Sequence, residues 1–137
     1  MKKLRFYLIN VLFSLFCGLF IYIFFRRGTY INDFVNRICH IHVVEKETVI
    51  IHFLKYYFVD ALWAYAMTFF LAIFVNEKVC FLTSSCVCIL WELFQLFSIV
   101  KGTFDWIDII MYLTAVIIAV LIIFFYKKGE MYEKTNP

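Results

Sequence analysis

Four polar side chains sit inside or at the mouth of apolar runs in the stretch "WELFQLFSIVKGTFDWIDII", residues 91–110: Glu92, Gln95, Asp105 and Asp108. A charged group at the centre of a membrane span costs on the order of 2.5–3.5 kcal/mol on insertion scales, and such residues face a cavity or a partner. Asp60 stands alone in another apolar run, and Asp33 follows the first one. Carboxylates crowded together out of water resist carrying several negative charges unless a proton or a cation lies between them. The chemistry on offer is therefore proton sharing or cation binding. Glu92, Asp60 and Asp108 are the candidate ligands of a divalent cation, Gln95 orients, and Lys101 is a counter-ion borne by the protein itself.

These groups need a scaffold, and composition says which solvent it lives in. The chain has 137 residues, 65% of them hydrophobic and 22% aromatic. Soluble domains are about half apolar, and a body this small has too much surface to hide the excess. The formal charge of +3 comes from scattered basic residues. They form no continuous basic face of the kind that neutralises a run of phosphates, which argues against a nucleic-acid partner. Cys17, Cys80, Cys86 and Cys88 lie in or at the end of apolar runs, where they act as small hydrophobes. Cys39, His40, His42 and His52 are metal-capable types, but their spacing matches no closed zinc pattern. No nucleophile elbow, phosphate loop or HExxH motif occurs.

Charges divide the chain into spans. Phe6–Phe25 is uncharged and long enough for one hydrocarbon thickness at about 1.5 Å per residue. Its far end is bulky and then cationic, with no small-x-small cleavage site, so it reads as an uncleaved span. The others run over Tyr56–Asn76, Val79–Val100 and Phe104–Tyr126. The links "NEK" and "KGT" are short enough to force antiparallel neighbours. In the loop Arg26–Lys55, the residues Ile31, Phe34, Val35 and Ile38 recur at helical spacing, which predicts a short amphipathic helix at the membrane surface. "TVIIHF" reads either as extended chain or as an early start to the second span. The tail Lys127–Pro137 is polar and expected to fray. The expectation is one domain: an all-α membrane protein, four transmembrane helices in an antiparallel bundle with an interfacial helix in the first loop.

Helix direction then gathers the acids. An odd span ends on the face where the next even span begins, so Asp33, Asp60, Glu92, Asp105 and Asp108 converge at one boundary. Ser85, Cys88, Glu92 and Gln95 form one stripe, as do Asp60, Ala64, Thr68 and Ala72, and Asp105, Asp108, Tyr112, Ala115 and Ala119. Small residues on such stripes let helices approach closely. Bland roles compete: Asp105 and Asp108 can cap the fourth span, Asp60 can be a first-turn acid, and Asp33 can be solvated. Glu92 has the weakest such alternative, because it lies toward the C-terminal end of its helix, where the dipole disfavours it, about 13 Å from Lys101 by helical rise. With the N-terminus inside, cytoplasmic segments hold Lys2, Lys3, Arg5, Lys78, Lys127, Lys128 and Lys134. Arg26, Arg27, Arg37, Lys46, Lys55 and Lys101 then lie outside, a slight positive-inside bias for a multi-pass cell-membrane protein.

The motif pair "WELFQ" and "FDWID", a Glu-x-x-Gln in one span and an Asp-x-x-Asp entering the next, resembles the VanZ-like family of small multi-span membrane proteins. "FVDALWAYA" is similar to that family's Asp-led entry to the preceding span, and "INDF" to an Asn-Asp pair in some small relatives. The chain has Lys101 where the family often has Arg, and Tyr112 and Ala115 where Asn and Gly are common. The resemblance implies an envelope-associated role like that of the namesake, linked to glycopeptide (teicoplanin) resistance; some short relatives carry names pointing to magnesium–citrate transport. On residues and resemblance together, the leading expectation is a pocket for a cation, a proton-linked solute or a polar envelope-lipid head group. The alternatives are an enzyme acting on lipid head groups, which a histidine folded over the pocket would favour, and an accessory protein whose acids only lock helices together.

Overall fold

The computed structural model describes residues 2–25, 34, 37–38, 48–100 and 102–135, with side chains through residue 132. The described residues are helical with no strand. Helix α1 spans Lys2–Phe25. It starts four residues earlier than the uncharged run, because Lys2, Lys3 and Arg5 are good helix formers that extend the helix beyond its apolar part. The next helical run has three pieces: α2 (Val49–Phe53), a π turn (Leu54–Phe58) and α3 (Val59–Leu71). Thr48 starts it as N-cap, its hydroxyl accepting from the Ile51 N–H at 3.3 Å. "TVIIHF" is thus helical, and the second run begins well before Tyr56. It also ends at Leu71 rather than Asn76, since Asn76 already caps the next helix by accepting from Val79 N–H at 3.0 Å. Helix α4 spans Glu77–Leu96 and α5 spans Trp106–Thr135. The tail expected to fray is helical through Thr135; Lys and Glu are favourable helix residues, and Tyr126 donates to Glu130 at 3.3 Å one turn on.

Of the predicted surface helix over 31–38, Phe34, Arg37 and Ile38 are described, helical and exposed; the other positions lie outside the described residues. Three helices are long and apolar enough to cross a membrane: α1, α4 and the Trp106–Tyr132 part of α5. Their outward faces carry large apolar side chains such as Leu12, Phe16, Ile110 and Phe125.

Helix α3 lies at the centre, packed on α1, α5 and α4, while α4 also packs along α5. Two buried clusters mark the ends of the bundle. One joins Tyr7 and Val11 of α1 to Phe69 and Ala72, Cys80, and Ala119 and Ile123. The other joins Ala61 and Ala64 to Cys88 and to Tyr112, Ala115 and Val116. The small residues are what allow the close approach, since packing rather than water exclusion drives helix association in lipid. Asn10 adds a polar tie, accepting from the Tyr65 hydroxyl at 2.8 Å.

Helix α4 stops at Leu96, four residues short of the apolar run, and the backbone shows why. Ser98 takes the left-handed conformation, with φ of 56°. Ser98 N–H donates to Gln95 O at 2.9 Å and Ile99 N–H to Phe94 O at 2.8 Å, the paired bonds of a Schellman stop. A residue with a Cβ pays about 1–2 kcal/mol for that conformation. Ser98→Gly should therefore stabilise the protein by about 1 kcal/mol, read as a rightward shift of SDS-induced unfolding in mixed micelles. An unchanged midpoint would mean the turn is not strained.

Candidate functional site

The stop at Leu96 decides how deep Glu92 lies. Counted to the end of its helix, Glu92 is four residues in, about 6 Å by helical rise rather than the 13 Å expected from Lys101. It is nonetheless fully buried, at 0% exposure, because α3 and α5 close over it. Its neighbours come from the start of α5. Asp105 N–H points at Glu92 Oε2 at a long 3.5 Å, and the Tyr112 hydroxyl approaches the same carboxylate. Oε1 of Glu92 has no hydrogen-bond partner among the described residues, nor has the buried Oδ1 of Asp108.

Asp105 is tied on both carboxylate oxygens. Oδ1 accepts from Ile107 N–H at 2.9 Å, which makes Asp105 the N-cap of α5. Oδ2 accepts from the Tyr57 hydroxyl at 3.1 Å. Asp105 thus serves as cap and as a clamp between the π turn and α5. Tyr57 itself was not singled out in the sequence; the available signal was its position three residues before Asp60. The π turn puts it at the acids, and such turns concentrate at functional sites.

Asp60, Glu92 and Asp105 all lie close enough to Asp108 to act on it electrostatically; Asp60, Glu92 and Asp108 likewise act on Tyr112. The structure therefore brings Asp60, Glu92, Asp105 and Asp108 together from three elements, with Tyr57 and Tyr112 as added polar walls. Gln95 is half-buried one turn beyond Glu92, and its side-chain amide lies where a Cβ on Gly102 would be. Asp33 and Lys101 lie outside the described residues. Among the described residues no three His, Cys, Asp or Glu side chains are arranged to hold a metal ion. The divalent set Glu92, Asp60 and Asp108 shares a neighbourhood without forming a ready chelate.

At the opposite end of the bundle Lys127 pairs with Glu77, bridging α5 and α4. A cleft of about 620 Å³ opens there, lined by Lys3, Glu77, Lys127, Lys128 and Glu130 among others. Fold and site together describe an all-helical, membrane-compatible bundle with an acidic interior at one end. Comparison with models of known protein families found no match, and neither did comparison with curated proteins or with solved structures.

Proposed function

We propose that this is a four-span membrane protein, N-terminus in the cytoplasm, whose acidic pocket holds an exchangeable proton in linkage with a cation, a small polar solute or a polar envelope-lipid head group. The carrying observation is Glu92: wholly buried, with Asp105 and Asp108 close by and one oxygen unpartnered. An orphaned buried acceptor is costly, and a proton or bound cation is the simplest way to relieve two of them, on Glu92 and Asp108. In this reading the α2–π–α3 run also crosses the bilayer, as the second of four spans, and the bilayer is the constant partner. The VanZ-like motif pair adds the envelope setting, because its Glu-x-x-Gln and Asp-x-x-Asp supply Glu92, Gln95, Asp105 and Asp108.

The test compares purified wild type with Glu92→Gln. Infrared spectra over a pH series should show a protonated-carboxyl band in wild type that the variant lacks. Calorimetric titration with magnesium, calcium and sodium salts and with small carboxylate solutes should give heat in wild type only. A flat response in both proteins removes the reading.

One observation favours the accessory alternative: Asp105 already has both oxygens in structural bonds. Under that alternative Glu92→Gln is tolerated in cells as well as in the purified protein. Under the pocket reading, function is lost at unchanged expression.

A further inference from the structure

The polar stripe of α4 does not end at the acid cluster. Counting back from Glu92, every fourth residue is polar or sulfur-bearing: Cys88, Ser84 and Cys80, with Ser85 alongside and Glu77 one turn further. All four side chains of that row are 0% exposed. Four residues advance about 6 Å along the axis, so the row from Glu77 to Glu92 covers about 22 Å, most of a hydrocarbon thickness.

A row of small residues is ordinarily helix packing. Here a second observation points elsewhere. Ser84 Oγ, Ser85 Oγ and Glu92 Oε1 are buried without hydrogen-bond partners among the described residues, and so is the Tyr7 hydroxyl on α1. Helical Ser and Thr normally satisfy a buried hydroxyl on the carbonyl one turn back. Thr68 does so, donating to Ala64 O at 2.8 Å; Ser84 and Ser85 do not. Orphaned buried polar atoms are rare, and internal water is their usual partner.

The orphans line up between two polar ends. Cys88 neighbours Glu92 and Tyr112. The Ser84 hydroxyl lies beside the Cys80 thiol, close enough to act on it but outside hydrogen-bond geometry, and that thiol donates to Thr68 O at 3.1 Å. Tyr7, 1% exposed, neighbours Cys80, Tyr126, Glu77 and Glu130, and Glu77 and Glu130 line the cleft at the far end.

We infer that this row is a hydrated proton path through the bundle, from the acid cluster past Ser85, Ser84 and Tyr7 to the cleft at Glu77 and Lys127. It rests on the acidic-pocket reading for its entrance and adds an exit on the opposite face. The groups facing Glu92 are Cys88 on its own helix and Asp105, Asp108 and Tyr112 from α5, with Asp60 of α3 set against Asp108 and Tyr112; those facing Tyr7 are Lys3, Glu77, Cys80, Glu130 and Tyr126. A proton enters at the cluster, passes along water and hydroxyls, and leaves at Glu77, with no bond made or broken beyond O–H exchange.

The full chain is reconstituted into liposomes holding a pH-sensitive dye, with an outward potassium gradient and valinomycin for charge balance. Wild type should acidify the lumen faster than protein-free vesicles. Ser84→Val and Ser84→Thr have the same shape, but only Thr keeps the hydroxyl. Val should slow the flux by about tenfold, the factor produced by about 1.4 kcal/mol of added barrier, and Thr should not; Tyr7→Phe should slow it as Val does. Wild-type flux equal to that of empty vesicles, or equal flux in Val and Thr, overturns the path. The infrared band of Glu92 in the same samples separates the two claims: if it titrates while Val and Thr conduct alike, the pocket stands and the path falls. If it is missing in wild type, the pocket reading falls with it.

Discussion

Phe69→Ala should destabilise the bundle by about 3–5 kcal/mol, the cost of emptying a fully buried aromatic site. Phe69 has 0% exposure and sits in a cluster drawn from four helices. Its ring packs edge-on against Phe6 and Tyr7 of α1, at 6.0 and 5.9 Å between centroids, and tilted against Tyr65 at 4.8 Å. Lipid tails are as apolar as Phe, so what is lost is contact between surfaces that fit, not shelter from water. Unfolding by SDS in mixed micelles measures it. Phe69→Leu, which fills more of the space, should lose less. A loss under about 1 kcal/mol for the Ala variant would mean that α1 contributes little to holding the bundle together.

Asp105→Ala is the second large effect. It removes the cap of α5, worth about 0.5–2 kcal/mol, and with it the hydrogen bond from the Tyr57 hydroxyl. The expected loss is about 1–2 kcal/mol in the same unfolding assay. Asp105→Asn keeps a good capping group and should lose less than half of that. Tyr57→Phe should remove only the clamp, and the double variant should show coupling between the two positions. If Ala is tolerated within about 0.5 kcal/mol, Asp105 is not a clamp, and its place among the acids needs a ligand to explain it.

What the residues disclosed in advance was mostly direction and periodicity. Alternating helices and short links were enough to place Asp60, Glu92 and Asp108 at one end, and four-residue steps located the faces that carry Ala64, Thr68, Tyr112 and Ala119, all buried. Helix ends were less legible. Ser98 has no business in the left-handed region by type, so nothing in "FSIVKG" marks a stop at Leu96; only the paired bonds to Phe94 and Gln95 do. Hydropathy likewise places the end of α5 where charges begin, although Lys and Glu prolong a helix readily. The π turn has no sequence signature, and with it went the role of Tyr57. Orphaned hydroxyls are a property of three-dimensional surroundings: Ser84 and Thr68 look alike on paper, and only one of them finds a carbonyl.

The π turn at Leu54–Phe58 has a geometric corollary. Such a turn accommodates one residue more than an α turn, and each residue of an α-helix advances the winding by about 100°. The side-chain rows of Val49–Phe53 are therefore out of phase with those of Val59–Leu71 by roughly that angle. A one-residue deletion within the joint would bring the halves into register and swing the first about its axis, carrying His52 with it, while the acids downstream kept their places. The helix thus holds a spot where length changes in the chain are absorbed as rotation instead of rupture.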